Sequence, residues 1–390
     1  MTGLPPIRGH EDARARFARA AAAGALPQSI LLHGAAGIGK ERLGLWLAQL
    51  LVCEVPLDGG PCGECLACRL ADRLEHPDVQ WFFPLPRPDA SSPEKLREKL
   101  EDSRGTELQL RRANRLHIPA YDRAPAYFLA TIQTLHQLAS TRPSMGSRKV
   151  FVVGDAELMV PQESSQEAAN AFLKLLEEPP NHLTLILTTS QPGALLPTIR
   201  SRVLPYRLLP LPENAVLDFL VEECGITSEQ AGEVSTSSDG AIGRALRLLP
   251  SEDGHDVLAL RRAAGRNLLI AALSGGSVQR LAAAMDQKPT GARSDLTGKL
   301  DAFSEWLRDL LAITSGGEPL NRDTEARALL ERAAAQPDVH PLGVADAILA
   351  VAEARDRAYG NINPQLIVAD LLRRIQQSLR PSKRRNRNNG

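Results

Sequence analysis

The sequence predicts an α/β domain with a parallel sheet, followed by an all-helical remainder. Three observations support this fold class. Short apolar runs alternate with helical segments, a glycine-rich loop joins the first run to a helix, and strand patterns end near residue 208. Buried strands that alternate with helices are typical of a parallel sheet. With 390 residues, the chain is expected to contain two or three domains.

The predicted α/β elements follow one another along the first 208 residues. An Ala/Arg-rich segment at 11–23 predicts a helix, and the apolar run SILLHG predicts a buried strand. The segment ERLGLWLAQLLVC predicts the next helix. Two more buried strands are predicted from KVFVVGDAELM and LTLILTTS. Between them lies the amphipathic helix EAANAFLKLLEEPP, which its two prolines end.

The remaining segments differ in character from this core. Residues 84–118 are Pro-rich and then highly charged, which predicts a long surface insertion. Residues 209–254 predict a small helical unit, and residues 255–378 predict a second, Ala/Leu/Arg-rich helical domain. The basic, polar tail at 379–390 is expected to be disordered.

Composition excludes some classes of partner. The formal net charge is zero, so no global field attracts the whole molecule to nucleic acid or to a membrane surface. No apolar run reaches the roughly 18 residues of a membrane span. The N-terminal segment is charged where a signal peptide would be apolar. We therefore expect a cytoplasmic protein with no membrane partner.

The segment GAAGIGK has the spacing of a phosphate-binding P-loop. Gly34, Gly37 and Gly39 fall at the turns of such a loop, and Lys40 falls at its phosphate-binding lysine. A strand before and a helix after the loop are the context that this motif requires. Glu41 stands where a Ser or Thr hydroxyl would ligate Mg²⁺. Two alternatives follow: the loop still binds ATP with Mg²⁺, with this carboxylate as a metal ligand, or it has become a structural turn.

The second acidic position of a P-loop ATPase is also altered. Asp155 ends the second predicted strand, where such enzymes hold Mg²⁺. The Glu that usually follows it is replaced by Ala156, and Glu157 is displaced by one residue. Glu157 is expected to favour the N-terminus of a helix, although it is also a candidate for polarising water.

Four of the five cysteines lie within 16 residues of one another. Cys53, Cys62, Cys65 and Cys68 have the spacing C-x8-C-x2-C-x2-C. In a reducing compartment this clustering favours one tetrahedral, structural zinc over disulfides, with free thiols as the alternative. Adenylate kinases also combine a P-loop with a zinc cluster, but a long stretch separates their two cysteine pairs. The compact spacing argues against that enzyme.

Three arginines are candidates for contact with a nucleotide. Arg200 and Arg202 follow the third predicted strand in TIRSR, and Arg244 lies early in a predicted helix. A surface arginine after that strand can reach the γ-phosphate held by a neighbouring subunit, because its charge is permanent and its donors form a rigid fork. The alternative for each is an ordinary surface salt bridge or contact with solvent.

Several of these segments together resemble the bacterial clamp-loader AAA+ family of the DNA polymerase III holoenzyme. They are GAAGIGK, the cysteine cluster, HPDV at 76–79, NAFLKLLEEPP at 170–180, TTSQPGALLPTIRSR at 188–202 and NINPQLIVADLL at 361–372. LKLLEEPP followed by TIRSR is highly specific, whereas the P-loop alone is not. The resemblance is strong over residues 25–82 and 148–208 and weaker over the helical remainder.

The resemblance implies a subunit of three domains. They are an AAA+ core at 1–208 with a zinc insert at 53–76, a helical lid at 209–254 and a collar domain at 255–378. It implies a pentameric ring with gamma/tau and delta subunits, which loads a sliding clamp onto primed DNA.

The resemblance also assigns roles to single residues. Arg202 lies in the family's Ser-Arg-Cys motif and would act on a neighbour's ATP, although Val203 replaces the Cys. Thr188 or Thr189 falls at sensor 1, and Arg244 falls at sensor 2.

We therefore predict a scaffold subunit that completes a neighbour's active site and has no ATPase or polymerase activity of its own. Glu41 and the missing Asp-Glu pair fit a family member that does not hydrolyse ATP. One alternative is an active gamma/tau-type ATPase that uses Lys40, Asp155 and Glu157. Another is a zinc-dependent DNA-binding module, which the neutral charge and the few basic residues near the cysteines (Arg69 and Arg73) disfavour.

Overall fold

The computed structural model describes most of the chain, as two compact units, Met1–Leu249 and Pro250–Gly390. The residues described are 4, 6–57, 59–119, 121, 123, 125–159, 167–249, 257–273, 276–287, 293–319, 324–358 and 362–379. The predicted lid–collar boundary and all but the first residue of the predicted tail lie outside them. None of the helices described is long and apolar enough to cross a membrane.

A parallel sheet forms the centre of the first unit, as the sequence predicts. The described residues of the first unit form seven strands: β1 (Ser29–His33), β2 (Val79–Phe82), β3 (Leu85–Pro86), β4 (Pro125–Ala126), β5 (Lys149–Val153), β6 (Leu183–Thr189) and β7 (Leu204–Arg207). Five of them form one sheet in the order β2-β5-β6-β1-β7, in which every neighbouring pair is parallel. The short β3 and β4 pair antiparallel. The sequence predicted the three central strands but not the less buried edge strands β2 and β7.

Helices cover both faces of this sheet. Those of the core are α1 (Glu11–Ala22), α2 (Lys40–Val52), α3 (Leu66–Asp72), α4 (Pro93–Ala113), α5 (Leu129–Ser140), α6 (Glu167–Glu177) and α7 (Pro197–Arg200). Alternate strand residues face opposite sides: Phe151 packs with α5 and α6, whereas Val152 packs with α1 and α2. Helix α2 lies close to the sheet, since a Cβ added at Gly44 would lie 3.2 Å from Val152 Cγ1. Burial of these apolar side chains stabilises the core.

The predicted insertion contains a long helix. Helix α4 spans 21 residues, begins after Ser92, whose side chain accepts a hydrogen bond from the Lys95 amide, and has Pro93 at its first position. Its buried Leu100 packs with Phe83 and Leu85 of the core. The segment is therefore a helix packed on the domain rather than an irregular surface loop.

The first unit ends in a small helical subdomain, which we call the lid. It consists of α8 (Glu213–Cys224), α9 (Ser228–Ser237) and α10 (Ile242–Leu246). Its helical character confirms the sequence prediction for this segment.

The second unit is all-helical in the residues described. It comprises α11 (Val257–Leu273), α12 (Ser277–Met285), α13 (Arg293–Thr314), α14 (Thr324–Ala334), α15 (Pro341–Ala358) and α16 (Pro364–Leu379). Fully buried side chains such as Phe303 and Leu372 form a core of its own. The predicted class, an α/β core followed by helical domains, is confirmed.

Candidate functional site

The glycine-rich loop has the backbone of a P-loop. It connects β1 to α2, and Gly39 is the N-cap of α2. Gly37 and Gly39 have φ angles of 81° and 96°, which favour glycine because a Cβ would be strained there. The sequence pattern therefore identifies the loop and its turn positions correctly.

Lys40 binds its own loop. The side chain is buried, and Nζ donates hydrogen bonds to the carbonyl oxygens of Gly34 at 3.0 Å and Ala35 at 2.8 Å. Burial lowers the pKa of Lys40, which the nearby carboxylates partly offset. These two carbonyl oxygens thus occupy N–H donors of Lys40 that would otherwise be available to a phosphate.

The lid touches the loop backbone directly. The amide N–H of Gly243, at the start of α10, donates to the Gly37 carbonyl oxygen at 2.9 Å. A Cβ added at Gly243 would lie 3.0 Å from Gly37 Cα, and one added at Gly37 would lie 2.9 Å from the amide nitrogen of Arg244. Only two facing glycines permit this approach. From the other direction, the His10 ring contacts the Ile38 carbonyl oxygen at 2.8 Å.

The carboxylate of Glu41 is hydrogen-bonded to another side chain of the protein. Its Oε2 accepts a hydrogen bond from Trp81 Nε1 at 2.7 Å, which ties α2 to edge strand β2. The same carboxylate lies over the backbone that follows β5, since a Cβ added at Gly154 would lie 2.6 Å from Glu41 Oε2. The carboxylate therefore fills space beside the end of β5.

Asp155 and Thr188 meet at the carboxyl ends of β5 and β6. The Asp155 amide donates to Thr188 Oγ1 at 3.2 Å, and Asp155 has the positive φ of 44°. Burial and the charges of Glu41 and Glu157 together raise the pKa of Asp155 to about 7, against the opposing charge of Lys40.

Glu157 lies in a short 3-10 helix, Ala156–Met159, and is buried. Its Oε1 accepts hydrogen bonds from the Ser190 amide at 2.9 Å and from Ser190 Oγ at 2.7 Å. Glu157 therefore fixes the turn after β6, in addition to its place in the first turn of a helix.

The predicted arginines all have different surroundings. Arg244 forms an ion pair with Asp239 at 2.7 Å, on the lid. Arg202 pairs with Glu177 at the end of α6, at 2.9 Å, and its side chain is 35% exposed. Arg200 is exposed. The structure thus brings the P-loop, Asp155, Thr188 and the start of α10 together, whereas Arg202 faces outward on the connection from α7 to β7.

The four predicted cysteines converge. Their sulfur atoms all lie within 4.8 Å of one another, with Cys53 and Cys62 at 3.6 Å and Cys62 and Cys68 at 3.8 Å. Backbone N–H groups donate to three of the sulfurs. One example is the Cys68 amide, which lies 3.4 Å from Cys65 Sγ. Such a set of thiols could bind a metal ion. Cys224, on α8, lies outside the cluster.

Sequence reasoning missed the residues that close the loop. Gly243, His10 and Trp81 are far apart in the chain, and none carries a motif of its own. The Gly-Arg pair early in α10 was the one available signal, because a glycine there costs helix stability unless something approaches its backbone.

The fold and the loop define a P-loop domain of the AAA+ type. A family model described as DNA polymerase III, delta subunit, matches residues 9–212, more than half of the chain, and the chain belongs to this family.

Curated relatives agree with this assignment. DNA polymerase III subunit delta' of Pseudomonas aeruginosa is 37% identical over 47% of this chain and 44% of its own length. The chain thus spans less than half of that relative. The delta' subunit of Escherichia coli K12 is 26% identical over 90% of each chain. Subunit tau of Escherichia coli K12 is 27% identical over 62% of this chain and 32% of its own length.

Replacing Asp155 by asparagine is expected to stabilise the protein at pH 8 and to change little at pH 4. The pKa of Asp155 rises on folding from 3.8 to about 7, so the folded state binds this proton more tightly than the unfolded chain. The free energy of unfolding therefore falls as pH rises between these values, by on the order of 4 kcal/mol. Asparagine tolerates the positive φ and carries no charge. Urea unfolding at both pH values measures the difference.

Asp239→Asn is the matched control, because Asp239 also has a positive φ, 51°, but is exposed. It should give no gain at pH 8. If Asp155→Asn is instead less stable than the wild type at pH 8, Asp155 is ionised at little cost and our account of its environment is wrong.

Proposed function

We propose that this chain is a delta'-type subunit of the clamp loader of a DNA polymerase III holoenzyme, and that it does not hydrolyse ATP. It works as a scaffold in a ring with gamma/tau and delta subunits, which places a sliding clamp on primed DNA. The observation that carries the proposal is the hydrogen bond from the lid to the P-loop, from the Gly243 N–H to the Gly37 carbonyl. This contact packs the lid directly on the backbone of the loop that would hold a phosphate.

The chemistry around the loop supports the lack of turnover. Catalysis of phosphoryl transfer requires Mg²⁺ held by a hydroxyl and a carboxylate, with a residue that positions water. Here Glu41 is bonded to Trp81, Asp155 is protonated up to about neutral pH, and Glu157 is bonded to Ser190. None of these carboxylates is poised for a metal or for water.

Arg202 is suited to act on a nucleotide that another subunit holds. Nη1 donates to the Thr198 carbonyl at 2.9 Å and to Ser201 Oγ at 3.2 Å, and Nη2 donates to Glu177 at 2.9 Å. These contacts use three of the five N–H donors of a guanidinium, which leaves a pair for a phosphate. Ser201 and Glu177 thus orient the group while it stays partly exposed.

The helical second unit supports assembly into a ring. Helix α12 exposes apolar side chains at positions 278, 281 and 285, which share one helix face: Val278 is 75% exposed, Leu281 59% and Met285 60%. Leu366 of α16 is 65% exposed, and the neighbouring Gln365 side chain donates to the Met285 carbonyl. A contiguous exposed apolar surface marks a protein contact, and we assign it to the neighbouring subunits.

The cysteine cluster is proposed to hold one structural zinc ion. A tetrahedral zinc with four thiolates places its sulfurs about 3.8 Å apart, which agrees with the separations of 3.6 and 3.8 Å. Four sulfur ligands leave no open coordination position, so the ion takes no part in catalysis. Zinc supplies the energy that orders residues 53–76, a segment with little apolar core.

The isolated chain is expected to hydrolyse ATP at less than about 0.1 per second, well below typical enzyme rates. The variant Glu41→Thr should remain inactive, because it restores the hydroxyl but leaves the lid on the loop. A coupled assay of phosphate release measures both. Turnover above this rate that Lys40→Ala abolishes would establish the gamma/tau-type ATPase instead.

The change Arg202→Ala is expected to lower the clamp- and DNA-stimulated ATPase of the reconstituted complex, while the ring still assembles. Loss of such an arginine costs about 10³-fold or more at its own site. The whole complex should lose only severalfold, because the other sites keep their arginines.

Arg200→Ala is the matched control, two residues away and exposed. It should load clamps at the full rate. If Arg200→Ala slows loading and Arg202→Ala does not, the assignment is wrong, and if neither changes it, only the scaffold role remains.

The change Cys65→Ser is expected to release zinc and to unfold the segment at 53–76 while the P-loop stays intact. Structural zinc contributes about 10–16 kcal/mol in small zinc-binding peptides. Metal analysis should give one zinc per chain for the wild type and for Cys224→Ser, whose cysteine is outside the cluster. Limited proteolysis should cleave only the Cys65→Ser segment. A metal-free wild type that is equally resistant contradicts this role.

A further inference from the structure

The insertion between β3 and β4 is fixed firmly to the core. Arg111 of α4 lies between two aromatic rings, 4.1 Å from the centroid of Trp81 and 4.0 Å from that of Phe83. Glu107 pairs with Arg111 at 2.9 Å. Cation–π contacts of this kind contribute about 0.5–2 kcal/mol each. Helix α4 is thus a rigid support on the edge of the sheet.

Immediately after α4, the insertion reaches the lid. Arg115 pairs with Glu223 of α8 at 2.9 Å, and Arg8 pairs with both Glu222 and Glu223. We call these four residues the lid clasp. The Glu223 side chain is only 15% exposed, so solvent screens its two ion pairs less than it screens surface pairs.

The two carboxylates of the clasp lie at an unfavourable end of their helix. Glu222 and Glu223 occupy the last turn of α8, where the helix dipole disfavours negative charge by about 0.3–1 kcal/mol each. Arg8 and Arg115 offset this cost. The position of the acidic pair is therefore explained by its partners on the core rather than by α8 itself.

Arg115 in turn depends on these carboxylates. It lies near the partly buried Arg42, whose pKa is lowered to about 10 by burial and by the charge of Arg115, against the opposing charge of Asp72. Glu223 therefore offsets part of the positive charge that Arg115 and Arg42 bring to this region.

We propose that the insertion holds the lid against the P-loop through the lid clasp. The lid contacts the core through the clasp at the end of α8, through the Gly243–Gly37 hydrogen bond at the start of α10, and through the buried Ala241, which packs with core residues such as Ile38. Opening the loop requires the lid to move and these contacts to break. The insertion therefore keeps the nucleotide site shut, a role that deepens the proposed function without depending on Arg202.

A charge-swap experiment tests this role in the full chain. Hydrogen–deuterium exchange is measured on peptides that contain residues 34–43 and 240–247 in Arg115→Glu, Glu223→Arg and the double variant. Each single variant should speed exchange of these amides at least fivefold, since exchange reports local opening. The double variant should exchange at least twofold more slowly than either single variant, because it restores the pair with position 115 in reverse. Recovery should be partial, because Arg8, which also pairs with Glu223, then faces a like charge.

Arg123→Glu is the control, since Arg123 lies in the same insertion but forms an exposed pair with Asp89. It should not change the exchange. If a charge-reversal variant fails to fold, Arg115→Gln and Glu223→Gln provide the same comparison. Unchanged exchange in the single variants, or a double variant as fast as the singles, overturns the proposal. The exchange experiment does not measure ATP turnover. An active wild-type ATPase would therefore refute the proposed function, whereas the exchange rates alone decide the role of the clasp.

Discussion

One backbone hydrogen bond, from the Gly243 amide to the Gly37 carbonyl, determines what the first unit can do. It requires glycine on both sides, because a Cβ on either residue would come within about 3 Å of the facing backbone. It places the start of α10 directly against the backbone of the glycine-rich loop at Gly37. Lys40 then turns to its own loop carbonyls, and the site becomes a packed junction between core and lid.

The junction between core and lid contains unfavourable features that its present contacts do not explain. Asp155 keeps a positive φ, and it lies partly buried beside two other carboxylates, with Lys40 as a neighbouring cation. Strained backbone and perturbed pKa values are typical of functional sites. Their survival in a closed loop is what descent from an ATPase predicts, and Glu41 shows how the same space acquired a structural use through Trp81.

The sequence predicted those parts of the structure that local pattern determines. The central strands are continuous apolar runs, the loop glycines have fixed spacing, and the cysteines converge because they are close in the chain. The edge strands escaped prediction because β2 and β7 are short and partly exposed. The closing contacts of His10, Trp81 and Gly243 could not be predicted, because each joins elements far apart in sequence. The prolines and charges of residues 84–118 predicted only a surface insertion. In the structure, Arg111 of this segment contacts two aromatic rings and Arg115 pairs with the lid.

The most direct test of the closed site is equilibrium dialysis of the isolated chain against radiolabelled ATP with Mg²⁺. Our account predicts no saturable binding up to about 1 mM nucleotide, an affinity weaker than roughly −4 kcal/mol. Binding of one ATP per chain with a micromolar Kd, lost in Lys40→Ala, would contradict it, because the loop would then open readily to phosphate.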